Sequence, residues 1–278
     1  MIKMLAFDVD GTITAGNNEI TPRLRAIFDQ LEKKGLKLVL ATGRPYEDLY
    51  PLKKKNDFFP ATVLLNGAMV RDEKDNKIFA HYMSKDLVEP VCKVFKQFDV
   101  PFVCFTKDKN VVYQSSKQTY GKVLGIYLPD SELEMHGLID SLVSVEETDF
   151  NYEETLKIEA LFEDISLVDQ VREALKDVTG IDVVSSMNFN LEITPDYINK
   201  ANALQEYVKY EDINEDEVMV FGDSENDRSM LEAFKHSVLV KNPNNDFKVN
   251  TKYIARSCQE DGVAEFLENY FELRDKKA

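Results

Sequence analysis

The sequence is short of cysteine, histidine and positive charge, and each shortage removes a class of function. Its three cysteines, Cys92, Cys104 and Cys258, are an odd number with no C-x-x-C pair, so neither a disulfide framework nor a zinc site is signalled, and a reducing compartment fits. The three histidines, His81, His136 and His236, are scattered over turn and helix regions, form no triad and read as incidental. Lys and Arg number 34 against 50 Asp and Glu, a formal charge of -16. That field repels polyanions, so neither nucleic acid nor an anionic membrane surface is an expected partner. The longest basic run, Lys53-Lys54-Lys55, reads as the solvated end of a helix. No stretch reaches the roughly 18 apolar residues of a membrane span. The amino terminus passes from Met1 to Phe7 directly into acidic residues with no small-residue cleavage site. The expectation is a cytoplasmic protein, a monomer or weak homo-oligomer, with no repeat and no low-complexity linker.

What is present is an ordinary globular balance of 44% apolar and 30% charged residues over 278 positions, enough for about two domains at roughly 150 residues each. Lys3 to Val9 is a short apolar run bounded by Asp10-Gly11, suited to a buried parallel strand. Thr21-Pro22 offers a cap and a first helical proline, and Leu24, Ile27, Phe28 and Leu31 repeat at helical spacing up to Gly35. Leu36 to Ala41 is a second strand, Tyr46 to Lys55 a helix and Ala61 to Leu65 a third strand. Asp75-Asn76 then marks a hairpin within Met69 to Tyr82. The fold class predicted is α/β: a doubly wound parallel sheet, Rossmann-like, with ligands at the carboxyl ends of its strands.

From about Ser84 to Asn190 the texture changes. The pattern predicts a helix at Lys85 to Phe98 and paired strands at Phe102 to Phe105 and Val111 to Gln114. A strand at Leu156 to Phe162, a helix at Ile165 to Val178 and strands near Asp182 to Ser185 and Phe189 to Ile193 follow. The parallel pattern resumes with Val218 to Phe221, a helix from Ser224, the strand Ser237 to Val240 and a helix from Gly262 to Phe271. The domains expected are therefore a core from residues 1–83 and 191–278 and an inserted α+β cap, 84–190.

Three motifs fall at strand ends. Asp8-Val9-Asp10-Gly11-Thr12 sets two carboxylates two residues apart, able to face one pocket before Gly11 turns the chain. So close a pair repels itself unless a cation or a shared proton intervenes, and Mg2+ would resolve this. An acidic turn is the structural alternative; an EF-hand is excluded, because Thr12 is no acidic third ligand and no Gly follows it. Thr42-Gly43-Arg44 combines a hydroxyl with an accessible backbone N–H, a compact site for phosphate oxygens and equally a plain turn. In Gly222-Asp223-Ser224-Glu225-Asn226-Asp227, Ser224 and Asp227 can cap a helix. Asp223 precedes that cap and is suited to a metal shell.

Taken in order, Asp8-x-Asp10-Gly-Thr, Thr42-Gly-Arg, a Lys ahead of the last third and Gly222-Asp223-x-x-Asn226-Asp227 resemble the four motifs of the haloacid dehalogenase-like phosphatases. The likeness spans essentially the whole chain. The cap between the second and third motifs resembles that of the Cof-type members, which include sugar-phosphate phosphatases. The resemblance implies a nucleophilic Asp8, an acid/base Asp10 and a phosphoryl-holding Thr42 beside Gly43. It further implies a charge-neutralising, phosphate-binding Lys200, a phosphate contact at Asn226 and an Asp227 that orders Lys200 or the metal's waters. Mg2+ would be held by Asp8, Asp10 and Asp223, with Asp10 acting through its backbone carbonyl. Ala201 and Ser224 stand where members often carry Gly and Asn. Lys200 by itself reads as well as a helix-surface lysine. Asn66-Gly67 and Asn242 resemble positions that edge the site; Asn66-Gly67 is equally a tight turn, and Glu192 reads as structural. The function expected is Mg-dependent hydrolysis of a small phosphorylated metabolite, a sugar phosphate first, through an aspartyl-phosphate. A phosphomutase on the same scaffold and a non-catalytic phosphometabolite-binding regulator are the alternatives.

Overall fold

A computed structural model describes residues 1–15, 18–107, 110–113, 121–123, 126, 142–145 and 151–273. Two sheets organise these residues, and the chain enters the first, builds the second and returns. The first half contributes β1 (Met4–Phe7), α1 (Pro22–Lys33), β2 (Lys37–Ala41), α2 (Tyr46–Lys55), β3 (Ala61–Leu64), β4 (Met69–Arg71) and β5 (Lys77–Ala80). After these come α3 (Lys85–Gln97), β6 (Phe102–Thr106), β7 (Asn110–Tyr113), β8 (Leu142–Val145), β9 (Thr155–Leu161), α4 (Leu167–Leu175), β10 (Ile181–Val184) and β11 (Asn190–Pro195). The return is made by α5 (Lys200–Tyr210), β12 (Val218–Gly222), α6 (Arg228–Ala233), β13 (His236–Val240), β14 (Tyr253–Ala255) and α7 (Gly262–Tyr270).

The first sheet has eight strands in the order β14-β13-β12-β1-β2-β3-β4-β5. Its strands run parallel from β14 through β3, and the β4–β5 hairpin closes one edge antiparallel. The fold class is thus the α/β parallel architecture expected. β1 lies between β12 and β2, which sets Asp8 beside the ends of both neighbours. All four residues of β1 are buried, as a strand covered on both faces requires. On α1, Thr21 Oγ1 accepts from Leu24 N at 3.2 Å, Pro22 opens the helix, and Leu24, Ile27, Phe28 and Leu31 are the buried face. Phe28 packs on Phe7, whose ring stacks on Phe221 at 4.7 Å. Fully burying such a side chain contributes about 1.5–3 kcal/mol, so strands β1 and β12 are locked together directly beneath the motifs they carry.

The second sheet has six strands in the order β10-β11-β9-β6-β7-β8, antiparallel except for the parallel pair β7–β8. β11 runs across the 190/191 boundary drawn from the sequence, since its residues through Pro195 pair with β10. The sequence pattern predicts neither β8 nor β14, both of them short. The predicted strand end at Gln114 lies outside the described residues. The helix expected from Ser224 starts instead at Arg228, after a single tight turn at Glu225–Asp227. Lys53 overturns the reading of the lysine run as wholly solvated: it is fully buried and paired with Asp75 of the β4–β5 hairpin, to which Tyr46 also donates at 2.8 Å. The hairpin folds back over α2, and only Lys54 and Lys55 remain exposed. No helix among the described residues is long and apolar enough to cross a membrane.

Candidate active site

The three motifs and Lys200 meet at the carboxyl edge of the first sheet. Asp8 follows β1 directly, and its backbone N–H donates to Phe221 O at 2.9 Å. Its carboxylate is almost wholly buried, and Oδ1 accepts from Lys200 Nζ at 2.6 Å. Lys200 opens α5, whose cap Asn199 accepts from Asn202 N at 2.9 Å. The same ammonium donates to Asp227 Oδ1 at 2.7 Å. Lys200 is therefore no surface lysine: it is fully buried between two carboxylates.

Asp227 is spent on this and on its own turn, because Oδ2 accepts from Asp223 N at 2.9 Å and Ser224 N at 3.1 Å. The capping and the lysine-ordering readings of Asp227 describe one geometry. Asp223 Oδ1 accepts from Thr12 Oγ1 at 2.7 Å and Oδ2 from Asn242 Nδ2 at 2.6 Å. Gly11, at φ +83°, lets this loop approach the first motif, since a Cβ there would stand 2.4 Å from Asp223 Oδ2.

Oxygens of Asp8, Asp223 and Asp227 lie within 4.8 Å of one another, all buried. Burial pushes the Asp8 carboxyl well above its ordinary range, with the Asp227 charge adding to it and Lys200 opposing. Burial, then Asp227, likewise raises Asp223 to about 7. For Lys200, burial works against the charge, but Asp227 and Asp8 outweigh it and hold the ammonium above its usual value. Asp8 Oδ2 is buried with no hydrogen-bond partner, an exposed cost of about 1–3 kcal/mol or more for a charged acceptor. A compact set of hard oxygens with one oxygen unclaimed fits a divalent cation such as Mg2+.

The Asp10 carboxylate is not among those side-chain oxygens, and the role expected of Asp10 at a metal falls to its backbone carbonyl. Its side chain is 46% exposed and both its oxygens are taken by Arg44, at 2.5 and 2.7 Å. Asp8 and Asp10 do line one cavity of about 830 Å³, together with Thr42, Gly43 and Asn226. Thr42 Oγ1 accepts from Arg44 N at 3.1 Å, which shapes the turn after β2. Asn226 Nδ2 donates to Asn66 Oδ1 at 3.2 Å, and Asn66 Nδ2 to Glu192 Oε2 at 3.1 Å. Asn66-Gly67 is thus a bracing turn: Asn66 takes φ +56°, and a Cβ on Gly67 would lie 2.3 Å from Asn199 O at the start of α5.

The second sheet, through Glu159 and Glu192, and its β10–β11 connection, through Met187 and Phe189, supply another wall. Behind it Lys157, almost fully buried, donates to Gly43 O at 2.7 Å and to Glu192 Oε1 at 2.6 Å. No motif in the sequence marks either Lys157 or Glu159. Lys157 and Glu159 alternate with Leu156, Ile158 and Ala160 as on any half-solvated strand, and nothing local says that both faces of β9 are covered. His81 pairs with the exposed Glu206 at 3.0 Å, away from the site. His236 is partly exposed on β13. His136 lies outside the described residues. All three cysteines are free.

The sequence matches the profile of haloacid dehalogenase-like hydrolases over residues 5–267. The chain belongs to the haloacid dehalogenase-like hydrolase family. It is 26% identical over 277 residues to the 5-amino-6-(5-phospho-D-ribitylamino)uracil phosphatase of Escherichia coli, covering 96% of this chain and 95% of that one. It is 24% identical over 285 residues to the HMP-PP phosphatase of Serratia proteamaculans, covering 97% and 96%. A solved sugar phosphatase of the family's subclass IIB superposes with a TM-score of 0.79 at 20% identity, covering 98% of this chain and 100% of that one; at that identity the likeness is one of fold. This haloacid dehalogenase-like hydrolase is a phosphoric monoester hydrolase, of a family that acts on small phosphorylated metabolites.

Proposed function

We propose that this hydrolase cleaves a small hydroxyl-rich phosphate ester, a sugar or sugar-alcohol phosphate, by way of an aspartyl-phosphate on Asp8 and with Mg2+ bound. The single observation that carries the reading is the buried Asp8 carboxylate with one oxygen on Lys200 and the other unclaimed at the cavity wall. Phosphoryl transfer asks a protein mainly for positioning and charge neutralisation. Thr42, the Gly43 backbone and Asn226 would hold the phosphoryl oxygens. Lys200 neutralises charge around Asp8, and Asp227 holds Lys200 in place. Asp8 and Asp223, with the backbone carbonyl of Asp10, would bind Mg2+, which when bound offsets the repulsion between an anionic nucleophile and an anionic ester.

In the first half-reaction a bond forms from Asp8 to phosphorus as the ester P–O bond breaks, and the leaving oxygen takes a proton from Asp10. In the second, Asp10 removes a proton from water as that water attacks phosphorus, releasing phosphate and regenerating Asp8. Residues 84–190, together with the rest of β11 through Pro195, would serve as a lid over the core formed by the remaining residues, excluding water and reading the leaving group. Similarity to the ribitylamino-uracil phosphatase favours a polyol phosphate within this class.

The test is a phosphate-release screen over phosphorylated metabolites, with and without Mg2+, using Asp8→Asn as the blank. Mg-dependent release from a polyol phosphate that the variant lacks is the expected result. Equal release by Asp8→Asn removes the nucleophile assignment. Transfer to give an isomeric phosphate without free phosphate would make the chain a mutase.

A further inference from the structure

The turn after β2 carries an arginine with no role assigned so far. Arg44 is 7% exposed, and its guanidinium is held on every side. Nε donates to Asp10 Oδ2 at 2.7 Å and Nη2 to Asp10 Oδ1 at 2.5 Å, a two-bond fork. Nη1 donates to Asn18 Oδ1 at 2.6 Å and to Asp48 O at 3.3 Å, and the Asp48 carboxylate stands 3.7 Å from Nε. Asn18 itself sits at φ +53°, a region Asn tolerates, and its carbonyl accepts from Asn56 Nδ2 at 2.9 Å. The guanidinium therefore cannot swing without breaking contacts to three other segments.

The consequence falls on Asp10. Its carboxylate lines the cavity and is close to half exposed, yet the fork fixes both its oxygens and so the plane of the group. Without that hold the carboxylate could rotate into solvent or toward whatever cation binds at Asp8 and Asp223. We propose that Arg44 is a positioning residue for proton transfer to the leaving group: it aims the Asp10 carboxylate across the cavity and keeps it away from the Asp8–Asp223–Asp227 cluster. This rests on the acid/base reading of Asp10 given above. A lysine in the same place would retain the charge and lose the fork, because an ammonium is a point donor without a planar pair of N–H groups. The competing account is that Arg44 merely ties the loop through Asn18 to α2, in which case losing it should damage every reaction alike.

Leaving-group dependence separates the two accounts. The leaving oxygen of phenyl phosphate needs a proton far more than that of p-nitrophenyl phosphate, while the two esters are nearly the same size. Steady-state kcat/KM for both, in Mg2+, would be measured for the unaltered enzyme, Arg44→Lys, Asp10→Asn and the double variant. The expected result is that Arg44→Lys widens the ratio of p-nitrophenyl to phenyl phosphate by on the order of 10-fold, as a misaimed general acid should. In the Asp10→Asn background the same change should leave the ratio where it is. A uniform loss on both esters, or an unchanged ratio, overturns the proposal. Should Arg44→Lys fail to fold by circular dichroism, Asn18→Ala is read in the same way, with a smaller widening expected and an unchanged ratio again overturning it. The parent reading fails differently: the unaltered enzyme would release phosphate from neither ester, or Asp8→Asn would match it.

Discussion

Two buried lysines, Lys200 at the start of α5 and Lys157 on β9, differ in what is left over around them. Lys200, at the edge of the parallel sheet, sits among Asp8, Asp223 and Asp227, and one oxygen of that group, Asp8 Oδ2, has no partner. Lys157, on the second sheet, has Glu192 at 2.6 Å, the Gly43 carbonyl at 2.7 Å and Glu159 at 3.6 Å, while Asn66 and Asn190 donate to the remaining carboxylate oxygens. Burial opposes the charge on Lys157, yet Glu192 and Glu159 hold it above its ordinary value. The chemistry of the two clusters is alike, but one is incomplete and the other closed. An incomplete buried cluster is where a ligand can be bound; a closed one joins two sheets.

The sharpest way to break this comparison is to swap activity against stability. Asp8→Asn keeps an oxygen for Lys200 and removes the nucleophile, so turnover should fall by at least about 10³-fold. Its unfolding free energy in urea should change by no more than about 1 kcal/mol, because a buried carboxylate oxygen without a partner is lost. A fall in stability comparable to the fall in activity would show that the Lys200 cluster, too, is a clamp.

Asp223→Asn should raise the Mg2+ concentration for half-maximal activity by at least the roughly 10- to 100-fold typical of losing a supporting group. The increase in melting temperature that Mg2+ gives the unaltered protein should shrink in parallel. Unchanged Mg2+ dependence would place the cation elsewhere. Lys157→Met, by contrast, strands Glu192 in the interior and should cost about 3–5 kcal/mol by chemical denaturation. The folded fraction should retain an ordinary Mg2+ response, and a lost response would bring Lys157 into the cation site. The smallest effect is expected at the rim, where Arg172 on α4 meets Glu225 at 3.0 Å with both side chains partly exposed. Arg172→Ala should alter stability by less than about 1 kcal/mol, and a larger loss would make that contact a second clamp between the sheets.

Much of the first sheet could be read from residues alone. Met4 to Phe7 and Val218 to Phe221 are uninterrupted apolar runs, and a strand buried on both faces leaves that mark wherever it lies in the sheet. The face of α1 was legible for the same local reason, helical spacing. Asp8, Thr42 and Asp223 stood out because each ends such a run beside a glycine or a turn. Lys53 and Lys157 were invisible because their burial depends on what folds over them, the β4–β5 hairpin in one case and the first sheet in the other. Arg44 was visible as part of a motif, but not the carboxylate it would hold.

The sequence by itself determined the order of elements, the apolar faces and the three strand-end motifs, since hydrophobic period and turn chemistry act over a few residues. Tertiary structure alone decided which carboxylates gather in one buried cluster and which are taken by arginine or lysine. Lys200 reaches Asp8 across 192 positions, and Lys157 reaches Gly43 across 114. Contacts at such separations follow from strand order and sheet packing, which no local pattern encodes, and in a dry interior they hold the Lys200 and Lys157 ammonium groups above their ordinary values.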